Sequence, residues 1–488
     1  MFPFSSRGIA YKIARLTWPL FWLGPLWVQD QEAGTIARLF ALRCRSMLRR
    51  LGSSGLRLKD ATGRGETMSA GPAARRQYKS LCKRVRSTNT LVAAWHAIRR
   101  NAETSQQEGT KQTARRFGEN LPKNLRLLQN RLLKDYTFAP AYGATPPKGP
   151  GKTGKRPIVV APLEDRIIQR AILDVLQGAH EIAGIQRVLR TPTSIGGIPG
   201  RGVEHAIALY QARVDAGDNH VAGSDISGFF TKIPREKVIA FLSNEGVESA
   251  FIKLVEDALT VELSNAGKLS ADDLRLFPTG DDGVAQGCPL SALAGNIVLE
   301  RFDTEMNQRG ITCIRYVDDF IVIGKSRHAV TKAMEAAKSI LSELKMSVYD
   351  PIEHPKKAFL GTINDGHVFL GYKLIPGVYP PSDAACDKFM KLITGRISKG
   401  QTAVIKAISG RSLTSQDRCY AQTLVDIDNT IRGWRASLRA SNCPELFNQL
   451  DMEIDRRLRD FRSFHQDKIA KRSAAQRRRA ERVSLLVD

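Results

Sequence analysis

No Cys-x-x-Cys pair occurs in the 488 residues. The seven cysteines, at positions 44, 82, 288, 313, 386, 419 and 443, are scattered. Neither a zinc ribbon nor a disulfide framework is indicated, and a reducing cytoplasm fits. The eight histidines are dispersed too, so no His/Cys cluster competes for a metal. Long apolar runs are missing. Leu16–Val28 is apolar and holds three of the five tryptophans, but Pro19, Gly24 and Pro25 interrupt it, and it is too short to span a bilayer as a helix. No integral membrane association is expected, and no internal repeat is visible. Acidic residues are scarce against basic ones: 49 Asp and Glu face 74 Lys and Arg, a net charge of +25 with a pI near 9.9. That excess favours a polyanion, either nucleic acid or an anionic membrane surface. Hydrophobic content of 42% and charged content of 25% are still those of a globular protein. The length suffices for two to four domains with real cores.

Residues 1–67 read as an extension of uncertain status. Lys12 and Arg15 ahead of the apolar stretch resemble a weak leader without a convincing cleavage site. An Arg-rich stretch, Arg43–Arg64, follows, and Met68 opens a more conventional sequence. The expectation is a misassigned upstream start, with an interfacial anchor as the alternative. From Ala70 to about Asn130 the pattern is basic and helical, with Leu81, Val85, Leu91, Trp95 and Ile98 at helix-like spacing. The Pro/Gly/Lys loop Thr145–Lys155 reads as a cationic hairpin tip. A helix then carries Ile167, Ile168, Ala171, Ile172 and Val175 inward, and Gly196, Gly197, Gly200 and Gly202 mark an irregular stretch. Val221–Ile226 reads as a strand, and Pro234 stands where a helix starts. Residues 286–307 read as one apolar helix, Val330–Met346 as an amphipathic one, Phe369–Tyr372 as a short strand after the Asn364-Asp365-Gly366 turn, and everything from about Asp383 onward as helical. The last stretch, Arg456–Arg482, has eleven Lys/Arg against three acids.

The most informative stretch is Tyr316-Val317-Asp318-Asp319, flanked by Ile314-Arg315 and Phe320-Ile321-Val322-Ile323-Gly324. Apolar, β-branched flanks predict two short strands with the paired aspartates at the bend. Two adjacent carboxylates repel one another and lose hydration on burial, so a metal or strong donors must compensate. A solvated Asp-Asp turn is the bland alternative. Asp225 ends another predicted strand, and an α+β layer can bring all three carboxylates to one sheet edge. Such a trio suits two divalent ions and an in-line phosphoryl displacement. Mg²⁺ fits because it takes carboxylates plus substrate phosphates.

Several blocks carry a resemblance. Arg156–Gln169, Ser194-Ile-Gly-Gly with Gly200-Arg201-Gly202, Ser224-Asp225-Ile-Ser-Gly-Phe-Phe230, Gln286–Asn296, Tyr316–Asp319 and Phe369-Leu370-Gly371-Tyr372 occur in this order. Over roughly residues 120–460 the chain resembles a bacterial reverse transcriptase of the group II intron-like class, and Ile431-Arg-Gly-Trp434 resembles that family's helical thumb. The resemblance implies an α+β right-hand polymerase: N-terminal helices and fingers over 68–220, a palm with an antiparallel sheet over 221–375, and a helical thumb with a basic tail over 376–488. It implies that Asp225, Asp318 and Asp319 bind two metal ions (Mg²⁺, with Mn²⁺ a substitute). Lys155, Arg156, Phe229, Phe230, Gln286 and Gly287 are then expected at the nucleotide and Phe369–Tyr372 at the primer grip, with Tyr316 and Val317 beside the primer end. Lys152 is an alternative to Lys155, and Lys356 or Lys357 is a candidate acid for pyrophosphate. Phe230 stands where the family keeps an aromatic against the sugar, which would collide with a 2′-hydroxyl and select dNTPs; a core aromatic is the alternative. Gln286 and Gly287 are expected to open a helix and offer free N–H groups. The partners implied are an RNA template, noncoding or intronic, with a DNA product and dNTPs. No endonuclease domain or retron-type Val-Thr-Gly stretch is seen, which resembles solitary enzymes including those of antiphage defence. An intron maturase is the alternative, and an RNA-making polymerase is argued against by Phe230.

Overall fold

The computed structural model describes residues 80–483 apart from 106, 149–153 and 309. The expectations for residues 1–67, the start of the first helical stretch and Lys152 lie outside them. Four helices, Leu81–Val85, Thr88–Glu103, Glu108–Glu119 and Leu121–Arg131, open the described chain. Serines at 80 and 87 cap the first two by accepting from backbone N–H groups of the first turn. Leu81, Val85, Leu91, Trp95 and Ile98 are all buried, as their spacing predicts. Strands β1 (Tyr142–Ala144) and β2 (Ile158–Val160) pair antiparallel, and Lys148 N–H donates to Gly154 O at 2.9 Å beyond them. Helix Leu163–Gln177 buries Ile167, Ile168, Ala171, Ile172 and Val175.

The centre is a four-stranded antiparallel sheet in the order β4-β5-β3-β6, made of β3 (His220–Asp225), β4 (Thr312–Tyr316), β5 (Asp319–Gly324) and β6 (Ala358–Thr362). Strand alternation divides its side chains between two cores. Ala222, Cys313, Phe320, Val322 and Leu360 face the larger core, which takes in helices Leu163–Gln177, Ser291–Val298, Glu300–Asn307 and Arg327–Ser342. Val221, Ile314, Ile321 and Ile323 face a smaller one with Ile207, Tyr210, Phe369, Tyr372 and Leu438. Gly223 belongs to this second face, and a Cβ there would lie 2.6 Å from the Phe359 ring, so the glycine makes room for it.

Two expectations are corrected. The stretch 286–307 is two helices, Ser291–Val298 and Glu300–Asn307, with Leu299 between them. Helix cannot begin at 286 because Gln286 is bridged to Ile158 of β2, Gly287 has φ +112°, and Pro289 follows. Phe369–Tyr372 is a tight hairpin rather than one strand. Strands β7 (Val368–Phe369) and β8 (Tyr372–Lys373) flank Leu370 and Gly371, whose φ values of 50° and 86° are those of a type I′ turn.

From Asp383 the chain is helical, as expected: Asp383–Ile408, Tyr420–Ser437, Pro444–Ala470 and Ala474–Ala480. Phe389, Ile393, Ile397, Ile427, Ile454 and Phe461 form their shared core. Trp434 stacks on Phe389 with centroids 4.1 Å apart, a contact worth about 0.5–1.5 kcal/mol beyond area burial. Gly400 lets the helices approach: a Cβ there would meet Thr423 Oγ1 at 2.5 Å. No helix among the described residues is long and apolar enough to cross a membrane.

Candidate active site

Register brings the predicted carboxylates together. Asp225 and Asp319 are opposed across β3 and β5, and Tyr316 of β4 is opposed to Asp319. Opposed residues in an antiparallel pair share a face, with Cα atoms roughly 4.5–5.5 Å apart. On the other side of Asp225, its N–H donates to the carbonyl of Lys357 at 3.3 Å, and the Lys357 ammonium forms an ion pair with the Asp225 carboxylate. The row Tyr316, Asp319, Asp225, Lys357 therefore crosses one end of the sheet. Asp318 sits at the turn into β5, where its carbonyl accepts from Ile226 N–H at 2.9 Å.

The turn holds an unusual backbone. Val317 has φ +63°, a left-handed conformation that β-branched residues rarely adopt. Burial raises the pKa of Asp318, and burial followed by the charge of Asp318 pushes Asp319 up to about 7. Two half-buried carboxylates side by side are short of positive charge. The donors here are all carboxylate oxygens, which suits a hard divalent cation and not a thiolate- or imidazole-seeking one. Among the described residues no three His, Cys, Asp or Glu side chains already stand grouped as a metal site, and the neighbouring cation is the Lys357 ammonium on Asp225. The residues fit such an ion, which would take over the charge balance that Lys357 supplies.

The other expected residues are distributed unevenly. Lys155 and Arg156 lie on the hairpin beside β2, with Arg156 exposed. Lys155 Nζ is held by both carboxylate oxygens of Asp273 at 2.8 Å. Phe229 is buried against Gly295, where a Cβ would come within 2.6 Å of the ring, so its side chain is a core element. Phe230 is half-buried, edge-on to Phe229 at 5.3 Å, and its carbonyl accepts from Val284 N–H at 2.7 Å. Gln286 and Gly287 do not open a helix. The Gln286 carbonyl accepts from Val159 N–H at 3.2 Å, which ties this block to the fingers-type hairpin. Phe369 and Tyr372 are buried in the second core, leaving the Leu370-Gly371 tip as the accessible part of that motif.

Sequence reasoning missed Arg315. It is fully buried, and its guanidinium reaches Asp303, Asn296, Ser194 and the carbonyl of Val317. An arginine inside an otherwise apolar strand next to the aspartates was the available signal.

Residues 146–374 match the reverse transcriptase (RNA-dependent DNA polymerase) family. The fold agrees with that match: these residues form a reverse transcriptase domain, the domain of RNA-directed DNA polymerases. It is 26% identical over 295 residues to protein YkfC of Escherichia coli K12, covering 52% of this chain and 72% of that protein. A 91 kDa protein in the cob intron of Schizosaccharomyces pombe is 28% identical over 178 residues, 36% of this chain and 20% of the yeast protein. Among solved structures, a Cas6-RT-Cas1–Cas2 complex chain is 20% identical with a TM-score of 0.31, over 58% of this chain and 46% of that one. Apo telomerase from Candida tropicalis is 11% identical with a TM-score of 0.38, over 68% and 64%.

Proposed function

We propose that the chain adds deoxynucleotides to a primer end on a structured, noncoding RNA template, with Asp225, Asp318 and Asp319 as the carboxylates of the reaction. The observation that carries this reading is the opposition of Asp225 to Asp319 across two adjacent strands, with Asp318 at the adjoining turn. These three side chains would hold two Mg²⁺ ions, with Mn²⁺ a substitute. When bound, the ions supply charge neutralisation at the attacking and leaving oxygens of an in-line displacement. The chain's own residues do the rest. Lys155 and Arg156 approach the triphosphate from the hairpin, Arg156 suited to a bidentate phosphate contact. Phe230, fixed by its carbonyl and its neighbour ring, is the side chain that would meet a 2′-hydroxyl and so select dNTPs. The Leu370-Gly371 tip supports the primer strand. Lys357, already on Asp225, is a better-supported proton donor for pyrophosphate than Lys356.

The basic C-terminal helices suit contacts to RNA phosphates that position the template without reading it. We propose a cytoplasmic activity with a role such as antiphage defence. A maturase role in intron splicing is the second reading, favoured by those helices and by the relative found in the cob intron. Sequencing nucleic acids co-purified with wild type and with Asp318→Ala/Asp319→Ala distinguishes the two. A bound RNA with complementary DNA in the wild type alone supports reverse transcription and identifies the template. Bound RNA without DNA in either sample, together with an intron beside the gene, favours the maturase. Unchanged plating across a broad phage panel after deletion of the locus would remove the defence role.

A further inference from the structure

We infer that Arg315 is a positioning residue that holds the catalytic turn in its strained shape, and that this role is separable from its part in folding. The inference rests on the reading of Asp318 and Asp319 as reacting carboxylates. A fully buried guanidinium must satisfy its donors, and Arg315 does so from three directions. Nε donates to Asp303 Oδ1 at 2.7 Å and Nη2 to Asp303 Oδ2, a two-pronged pair with helix Glu300–Asn307. Nη2 also donates to Ser194 Oγ at 2.8 Å. Nη1 donates to Asn296 Oδ1 at 3.0 Å and to the Val317 carbonyl at 2.9 Å. That last acceptor belongs to the residue with φ +63°, immediately before Asp318.

The surroundings turn this bond into a clamp. Asn296 Nδ2 donates to Gly196 O at 2.9 Å, while Ile195 N–H and Arg315 N–H exchange bonds with the Arg315 and Thr193 carbonyls at 2.8 and 2.9 Å. The loop 193–197 thereby lies along the outer edge of β4. Gly196 comes so close that a Cβ on it would stand 2.5 Å from Val317 N and 2.6 Å from Val317 Cγ2. One guanidinium thus joins four separate blocks of the chain (the 194–197 loop, helix Ser291–Val298, helix Glu300–Asn307, and the aspartate turn) and presses a β-branched residue into a left-handed turn. A purely structural ion pair needs Asp303 alone. The additional bond to Val317 O is what a clamp requires, because without it the turn is free to relax and to carry Asp318 and Asp319 out of register with Asp225. A displacement near 1 Å at reacting groups lowers rates by roughly 100-fold.

The test uses the chemistry of buried pairs. Removing one partner of a buried ion pair is strongly destabilising, whereas replacing both with apolar side chains of similar volume is often neutral. Arg315→Met, Asp303→Leu and the double variant are compared with wild type for Tm, for kcat and KM of dTTP on poly(rA)–oligo(dT), and for Mn²⁺ binding by electron paramagnetic resonance. Arg315→Met alone is expected to lower Tm. The double variant is expected to regain most of that Tm, yet to keep kcat at least about tenfold down with KM within about threefold, and to bind Mn²⁺ more weakly. Arg315→Lys keeps the charge for Asp303 but lacks the fork, and is expected to hold Tm while kcat falls. Recovery of kcat and Mn²⁺ binding along with Tm in the double variant overturns the inference, as does full activity in Arg315→Lys should the double variant fail to fold. Wild type that binds no Mn²⁺ overturns the carboxylate assignment instead.

Discussion

Asp225, Asp318 and Asp319 differ in how they are held, and the differences set what each substitution does. Asp225 is tied to Lys357 and to the β6 side of the sheet, while Asp318 and Asp319 share a half-buried turn. Asparagine at any of the three keeps the shape and removes the charge. Each such variant is expected to lose more than about 100-fold in primer extension, beyond the 10–100-fold typical of residues that act through a metal ligand. Retained extension by the Asp225→Asn protein would sink the proposed chemistry. Phe230 is half-buried, not fully buried like Phe229, so its ring has an open side. Phe230→Ala is expected to raise incorporation of ribonucleotides relative to deoxynucleotides by roughly 10- to 100-fold, since pocket-size changes of this kind discriminate on that scale. Single-nucleotide competition assays read the ratio. Unchanged discrimination would make the ring a packing group only.

Among elements, the hairpins and the C-terminal helices show what local chemistry decides. The 370–371 turn places two positive φ values in succession, and Gly371 is the residue type that such a turn favours. In the C-terminal helices, Asp417 receives Lys406 Nζ at 2.7 Å, Thr414 N–H at 2.7 Å and Thr414 Oγ1 at 2.9 Å, which fixes the turn between Asp383–Ile408 and Tyr420–Ser437. The hydrogen bond from Lys406, followed by those from Thr414, holds its pKa down to about 2. A carboxylate with a folded pKa below its unfolded one stabilises the fold above the unfolded value and loses that contribution as pH falls. The helices are therefore expected to weaken between about pH 4 and pH 2. Asp417→Asn is expected to lower Tm at pH 7 and to leave a shallower loss of Tm on acidification. Parallel acid-melting curves for the two proteins would disprove the assignment.

At the scale of the whole molecule, the net charge of +25 sets how the protein meets nucleic acid. RNA affinity is expected to fall at least about tenfold between 50 and 200 mM salt, by counterion release from phosphates. Fluorescence anisotropy of a labelled RNA measures it, and a flat response would remove the electrostatic footing of the RNA-binding role. Much of this architecture is written locally. Helical periodicity marks Leu91, Trp95, Ile98 and Ile167 as inward-facing, β-branched runs mark β3, β4 and β5, and a two-aspartate bend between such runs is visible without coordinates. The α+β class follows from these patterns because each depends on neighbours a few residues apart, whereas the approach of Asp225 to Asp319 depends on the pairing of β3 with β5. Other features depend on residues far apart in the chain. That Gln286 bridges to β2 instead of starting a helix depends on a partner 128 residues earlier, Ile158. The burial of Phe369 and Tyr372, the pairing of Lys357 with Asp225, and the Asp273 carboxylate on Lys155 likewise depend on packing across the sheet or the hairpin. Arg315 is the clearest case. Its sequence neighbourhood shows an arginine in an apolar strand, but only the assembled core supplies Ser194, Asn296 and Asp303. Burying a guanidinium is tolerable solely where all of them converge.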